Sequence, residues 1–154
     1  MIYRIFNSFF IGIAFVSLID FLYFIGIKLN YFDFYKITEY FNVIFIDNQN
    51  FYLMVPSFFI VGYLVLYCKF SKFFIRVYIL VIVLALASIY EPVGHYLGKM
   101  QFMKEKQDFQ VGSIKFSGDL LYNGRKYMYI YRKDMSKTVK ILKKDVKVKN
   151  ADNI

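Results

Sequence analysis

The sequence predicts a membrane α-helical protein with three transmembrane helices and a small C-terminal antiparallel β module. Three observations predict it. The 154 residues are 58% hydrophobic and 20% charged, whereas soluble domains are roughly 45–50% apolar and about 25% charged. Apolar runs of membrane-spanning length occupy the N-terminal part, and short alternating segments with turn signals follow them. This composition excludes a soluble enzyme, a disulfide-rich secreted module and a disordered chain.

The transmembrane region is predicted to cover residues 1–98, with spans at residues 8–27, 51–68 and 73–90. Each span approaches the roughly 20 apolar residues that cross about 30 Å of hydrocarbon. The first run also fits a signal peptide, but no small-residue cleavage site follows it, so we expect an uncleaved helix. Residues 31–50 are aromatic yet carry four charges, which predicts an interfacial segment with a short helix.

Lys and Arg near the span ends predict the orientation of the chain. Lys69, Lys72 and Arg76 crowd the turn between the second and third spans, which favours a cytoplasmic turn. Three crossings then predict a multi-pass protein of a bacterial-type inner membrane, with a cytoplasmic N-terminus and an extracytoplasmic tail. The reverse orientation is favoured by three lysines beyond the third span, Lys99, Lys104 and Lys106.

Asp20 is the only acidic residue within the predicted spans. A carboxylate inside a bilayer is costly and usually faces a bundle interior, water or another helix. Antiparallel packing predicts an intramembrane polar cluster around it, formed by Asp20, Ser17, Ser57, Ser88, Glu91 and His95. The functional interpretations are an ion- or proton-responsive site and a polar contact for a partner helix. The structural interpretation is a hydrogen bond that holds the helices together.

Catalytic chemistry has few candidate residues in this chain. One His and one Cys cannot build a zinc cluster or a Cys–His nucleophile pair, and no phosphate-binding or hydrolase motif is present. Glu91 and His95 have a spacing of four, but Pro92 between them indicates a helix start. We therefore expect no enzyme activity, no catalytic residues, no metal and no cofactor.

Residues 99–107 are predicted to form a linker, and residues 108–150 the β module, a curled sheet or a small barrel of the SH3 or OB kind. Gly112 predicts a bulge, Asn123-Gly124 a hairpin, and residues 134–137 a turn. The candidate interaction surface of the tail comprises a tyrosine row and basic neighbours: Tyr127, Tyr129, Tyr131, Lys126, Arg132 and Lys140. Such a row suits core packing, contact with lipid or protein, or stacking of single-stranded nucleic acid. The predicted orientation disfavours nucleic acid.

These observations favour a small inner-membrane protein that acts by protein–protein interaction. It would be an accessory or assembly subunit of an envelope complex, or an immunity-type protein against a membrane-active toxin. One alternative is a homo-oligomeric transporter or channel component that uses Asp20. Another is a membrane-anchored cytosolic β module that binds anionic lipid or nucleic acid. The expected partners are the lipid bilayer and a protein.

Overall fold

A computed structural model describes the backbone of residues 2–149 and the side chains of residues 2–147. Within this range the first two-thirds are helical and the last third is a sheet. The helices are α1 (Ile2–Ile27), a π-helix (Lys28–Phe32), α2 (Phe41–Asp47), α3 (Phe51–Leu66), α4 (Ser71–Ala87) and α5 (Glu91–Phe102). The strands are β1 (Lys104–Val111), β2 (Ile114–Asn123), β3 (Tyr127–Arg132), β4 (Lys137–Leu142) and β5 (Val146–Lys149), with a 3-10 turn at Lys143–Asp145.

One helix is long and apolar enough by itself to cross a membrane, namely α1 with its π-helical extension, Ile2–Phe32. The pairs α2–α3 and α4–α5 reach that length only as bent units, with angles of 85° and 89° between the paired helices. The structure therefore does not confirm the second and third predicted spans. Helix α3 ends at Leu66 and α4 at Ala87, short of the predicted ends, so their lengths are about 24 and 26 Å.

Helix α1 is the central helix of the bundle, and small residues bring it close to α3. A Cβ atom at Gly12 would overlap the Phe58 carbonyl of α3, and one at Gly62 would overlap the Ser8 carbonyl of α1. Ser8 contacts Gly62, and Gly12, further along α1, contacts Phe58, which is earlier in α3. The two helices are therefore antiparallel. Close backbone approach of this kind is how helices associate in a bilayer, where the hydrophobic effect supplies little attraction.

Helix α4 runs parallel to α1. The Tyr78 hydroxyl donates a hydrogen bond to the Phe15 carbonyl at 3.0 Å, and further along both helices Ser88 fills the space beside Gly26. The turn between α3 and α4 consequently lies at the N-terminal end of α1. The π-helix, α2, α5 and the sheet all lie at the opposite end.

The tail is a curled antiparallel sheet with strand order β4-β3-β2-β1-β5. The predicted hairpin at Asn123-Gly124 joins β2 to β3. The turn predicted at residues 134–137 joins β3 to β4 but lies one residue earlier, at residues 133–136, because Lys137 already pairs with Arg132. The bulge predicted at Gly112 is wrong. Val111 pairs with Ile114, so Gly112 and Ser113 form a tight hairpin turn, and Gly112 adopts the φ of +58° that such a turn needs.

The linker predicted at residues 99–107 is divided between two regular elements. Helix α5 continues to Phe102 and β1 begins at Lys104, so a single residue, Met103, separates helix from sheet. Lys106 adopts a φ of +52° at an irregularity of β1, and its backbone N–H donates to the buried Asp119 carboxylate at 3.0 Å. A strand thus starts where the sequence pattern still looks irregular.

One face of the sheet packs directly on the helical part. The Tyr31 hydroxyl of the π-helix donates to the Leu121 carbonyl of β2 at 2.9 Å, and Phe32 contacts Tyr122 edge-to-face. The shared core contains Phe24, Ile27, Tyr31, Phe32, Ile37, Ile44, Leu121, Tyr122 and Tyr129. The opposite face of the sheet holds a second, smaller core of Phe109, Leu120, Met128 and Ile130.

A substitution at Gly12 tests the contact between α1 and α3. Replacing Gly12 by Val pushes a side chain into the Phe58 carbonyl, so we expect a loss of about 1–3 kcal/mol, seen as a lower melting temperature by circular dichroism in detergent. Ala14→Val is the matched control because Ala14 is exposed on the same helix. Equal melting temperatures for the two variants would contradict the close packing.

The ion pair between Asp47 of α2 and Arg125 beside β2 tests how the sheet is fastened to the helices. Arg125 Nε lies 2.7 Å from Asp47 Oδ2, and these hydrogen bonds hold the pKa of Asp47 below its ordinary value of 3.8. Its contribution to stability is therefore full above that value and is lost as the pH falls through the lower folded pKa. We expect the free energy of unfolding to be higher for wild type than for Asp47→Asn at pH 6, and the difference to shrink as the pH falls below 3.8, as measured by chemical denaturation at each pH. A difference independent of pH would contradict the ion pair.

Candidate functional site: a polar groove at Asp20

The candidate site is a groove of about 440 Å³ between α1 and α3, on the sheet side of their close contact. Asp20 and Tyr23 line it from α1, Ser57 from α3, and Gln101 from α5. The loop between α2 and α3 covers it with three consecutive amide side chains, Asn48, Gln49 and Asn50. Groups that hydrogen-bond thus converge on one carboxylate from three helices and a loop. Within this site, Asp20 and Ser57 are the two members that the sequence predicts.

Most polar groups of this groove already have partners within the chain. The Tyr23 hydroxyl donates to Gln101 Oε1 at 3.0 Å, and the Ser57 hydroxyl donates to the Leu53 carbonyl at 2.8 Å. Asn48 Nδ2 donates to the Ile44 carbonyl at 2.7 Å. Asn50 accepts from the Leu53 N–H at 3.3 Å and so caps the start of α3. These bonds hold the groove walls in position without using Asp20.

Asp20 itself is only partly satisfied. Its Oδ2 atom is buried and accepts no hydrogen bond from the residues that the structure describes. The Nε2 atom of Gln49, in the same groove, is likewise buried and donates none. Buried polar atoms normally form hydrogen bonds, because a buried donor or acceptor without a hydrogen bond costs about 1–3 kcal/mol of stability. The Gln49 amide lies next to the Asp20 carboxyl, so these two side chains form one donor–acceptor pair in the groove, and an entering polar group would meet both.

The remaining members of the predicted polar cluster lie elsewhere. Ser17 is half-buried on α1, outside the lining of the groove, and no hydrogen bond joins it to Asp20 within residues 2–147. Glu91 is exposed in the first turn of α5, where Pro92 also lies, as the sequence indicates. Ser88 and His95 belong to a separate group at the junction of α4 and α5.

This junction is built around Asn30, which no pattern in the sequence indicates. Its Nδ2 atom donates to the carbonyls of Ser88 and Ile89, each at 2.9 Å. The last carbonyls of a helix have no hydrogen-bond partners within that helix. The Asn30 side chain therefore caps the C-terminus of α4, where the chain bends into α5. His95 Nδ1 lies 3.0 Å from the Asn30 carbonyl, and Ser88 Oγ donates to the Ala85 carbonyl at 2.6 Å. These contacts give Ser88 and His95 structural partners.

The tyrosine row of β3 is turned towards the helices. Tyr129 is 1% exposed and shares a 3.2 Å hydrogen bond with Thr38, while Tyr131 contacts Tyr35 edge-to-face. Tyr127 carries the ammonium group of Lys140 4.1 Å above its ring. The structure thus places the row in internal packing, one of the interpretations that the sequence left open.

The basic residues predicted beside the row have varied surroundings. Lys140 also donates to Thr38 Oγ1 at 3.1 Å, so it links the sheet to the loop before α2. The Arg132 guanidinium lies 4.9 Å from the Phe116 ring centre and pairs with Asp134. Lys126 is exposed. Of these cations, Lys140 lies over the tyrosine rings, whereas Arg132 is directed to Phe116 and Asp134.

Neither a metal centre nor a relative identifies the site. Among the described residues, no three His, Cys, Asp or Glu side chains lie close enough to hold a metal ion. Comparisons with protein-family models, curated proteins and solved structures give no match for this chain. The groove at Asp20 is therefore interpreted from its own geometry.

Substitution of Asn30 tests the structural role of the junction. In Asn30→Ala the carbonyls of Ser88 and Ile89 lose their shared donor, so we expect a loss of about 1–3 kcal/mol and a lower melting temperature in detergent. Asn42→Ala is the control because Asn42 is exposed and bonds only to the adjacent N–H of Val43. If the two variants melt together, the junction does not depend on Asn30.

Proposed function

We propose that this chain is a multi-pass inner-membrane protein that acts by binding another protein and has no catalytic activity. Helices α1, α3 and α4 would cross the bilayer, and the sheet would stand at the surface on one side. The groove at Asp20 would accept a hydrogen-bond donor from a helix of the partner. Assembly of an envelope complex, or interception of a membrane-active toxin, would both use such a contact.

The distribution of exposed side chains supports three crossings. Apolar side chains on all three helices face outward, where only lipid would shield them from water. They include Phe6, Phe10 and Leu18 of α1, Val55, Phe59 and Ile60 of α3, and Ile79, Leu80, Val83 and Leu84 of α4. In the sheet the large exposed apolar side chains within residues 104–147 are three, Ile114, Met135 and Leu142. The bent ends α2 and α5 would lie along the membrane surface.

Charge supports the proposed orientation. Residues 2–19 and 51–90 contain no Asp or Glu, while the end of the bundle that they form carries Arg4, Lys69, Lys72 and Arg76. Acidic residues are mixed with basic ones at the sheet end, as in the pair Asp47–Arg125. The positive-inside rule then puts the α3–α4 turn in the cytoplasm and the sheet outside.

The observation that carries the partner-binding proposal is the polar pair of Asp20 and Gln49 in the groove, whose Oδ2 and Nε2 atoms bond to no further side chain among the described residues. At membrane depth no bulk water satisfies such atoms, and polar side chains there form interhelical hydrogen bonds. The ion pairs among residues 2–147 involve Asp33, Asp47, Asp119 and Asp134, so no Lys or Arg within that range pairs with Asp20. A donor from a second protein completes the site.

The transporter or channel alternative would use the same carboxylate in another way. A proton or ion pathway needs Asp20 to ionise, whereas a hydrogen-bonded contact needs only an acceptor oxygen. Asp20→Asn keeps that oxygen and removes the charge. It therefore separates the alternatives: it leaves a partner contact in place and abolishes ion coupling.

Photo-crosslinking from the rim of the groove tests the proposal. A photoreactive amino acid at Leu53, which is 67% exposed and lines the groove, should give one adduct of defined mass with a protein in native membranes. We expect the adduct to persist in Asp20→Asn and to fall several-fold in Asp20→Leu, which has a similar side-chain shape but no acceptor.

The control position is Leu84 of α4, which is 63% exposed and outside the groove. It should give no adduct of that mass, because only lipid would face it. The proposal fails if Leu84 gives the same adduct, or if Asp20→Leu crosslinks as strongly as wild type.

A further inference from the structure

A second groove, of about 630 Å³, lies between α1 and α3 at the opposite end of the bundle. Arg4, Ile5 and Ser8 of α1 line one side, and Phe59, Ile60, Tyr63 and Leu64 of α3 line the other. Apart from Arg4, the hydroxyl of Ser8 and the tip of Tyr63, this lining is hydrocarbon. The groove follows about 8 Å of α3, which suits the upper part of an acyl chain.

The cation at the head of this groove is held in place. Tyr67 accepts a 3.2 Å hydrogen bond from Asn7 Nδ2, and its ring supports the Arg4 guanidinium, whose carbon lies 5.5 Å from the ring centre. None of the ion pairs among residues 2–147 involves Arg4. The guanidinium is thus positioned over an apolar groove without a carboxylate to neutralise it.

The floor of the groove carries a second unsatisfied group. Ser8 is 3% exposed, and its hydroxyl has no hydrogen-bond partner among the described residues. A hydroxyl in a transmembrane helix ordinarily finds a carbonyl. Along the groove the Arg4 guanidinium comes first, then the Ser8 hydroxyl, then hydrocarbon. A phospholipid has its groups in the same order: a negative head group for the guanidinium, an ester carbonyl for the hydroxyl and an acyl chain for the hydrocarbon.

The surroundings select for an anion. Lys69, Lys72 and Arg76 lie at the same end of the bundle, and neither helix α3 nor helix α4 carries an acidic residue. Anionic lipids concentrate in the cytoplasmic leaflet, and basic pockets between membrane helices on that side bind their head groups. The proposed orientation puts this groove in that leaflet.

From this geometry we infer a binding site for one anionic phospholipid. Its phosphate pairs with Arg4, and one acyl chain lies between Ile5 and Ile60. The inference rests on the proposed membrane embedding, but not on the role proposed for Asp20. A zwitterionic lipid of the same chain length carries the same phosphate, but its own cation offsets the phosphate charge. The Arg4 guanidinium therefore favours the lipid whose head group keeps a net negative charge.

Native mass spectrometry of the detergent-purified full chain tests the site. Titration with phosphatidylglycerol should load one lipid at concentrations about tenfold below those needed for phosphatidylcholine with identical chains. Lysophosphatidylglycerol, with one chain, should also load, whereas glycerol phosphate should not. If glycerol phosphate, which has no acyl chain, loads as readily as the lipids, the groove does not bind an acyl chain and the inference is overturned.

Two variants and two controls sharpen the result. Arg4→Gln should abolish the preference for phosphatidylglycerol, and Ile60→Trp, which fills the groove from an exposed position, should lower loading of either lipid. Arg76→Gln removes a charge near the same membrane face but outside the groove, and should keep the preference. Equal effects of Arg4→Gln and Arg76→Gln would show a diffuse charge effect and overturn the site.

Asp20→Asn is the second control. Asp20 lies in the other groove, towards the sheet, so its substitution should leave lipid loading unchanged. Failure of the lipid site would thus show as equal loading of both lipids by wild type, whereas failure of the proposed function would show in the crosslinking from Leu53.

Discussion

The rest of the structure depends on the contact between the backbones of α1 and α3. Without side chains at Gly12 and Gly62, each helix rests on a carbonyl of the other. This contact holds α1 against α3. At its other end α1 packs against Ser88, at the end of α4, through Gly26, and it continues directly into the π-helix. Each later junction is placed relative to α1, so a shift at Gly12 would move the groove, the bend of α4 and the sheet together.

The same principle of close approach operates at the other end of the molecule. Gly94 and Gly98 of α5 are buried against Asn30 and Tyr31 of the π-helix, and a Cβ at either glycine would overlap these side chains. The bent helix therefore lies tightly against the extension of α1, and one residue later the chain enters the sheet. The Tyr31 hydroxyl also donates a hydrogen bond to the Leu121 carbonyl of β2. The sheet is therefore packed directly against the extension of α1, and only Met103 separates α5 from β1.

Several features could be predicted from local patterns. Asn123-Gly124 predicted a hairpin, the long apolar stretches predicted helices, and the lone Asp20 pointed to the groove. The helix ends could not be predicted, because apolar residues beyond Leu66 and Ala87 continue the hydrophobic signal after the backbone has turned. The bulge predicted at Gly112 was wrong for a similar reason. A bulge and a two-residue turn both shift the alternation of apolar residues by one, so the sequence pattern does not distinguish them.

Asn30 and Gln49 show what a sequence pattern does not contain. Asn30 is a single amide in an aromatic stretch, and Gln49 is the middle one of three amides. Neither belongs to a periodic pattern or motif, and the importance of each comes from carbonyls or a carboxylate that distant elements bring to it. The tyrosine row shows the converse. Its alternation was clear, but β3 has apolar residues on both faces, and only the packing of Thr38 and Tyr35 shows which face the helices cover.

The central claim is that three helices cross the bilayer, so that the α3–α4 turn and the sheet lie on opposite sides. Two single-cysteine variants in a Cys68→Ser background test it directly: Lys69→Cys in that turn and Met135→Cys in the turn between β3 and β4, both at exposed positions. With an impermeant thiol reagent, three crossings in the proposed orientation predict that intact cells label position 135 and that position 69 labels only after lysis. A chain that crosses once, through α1 alone, would put both positions on one side, so matching labelling of the two would contradict three crossings.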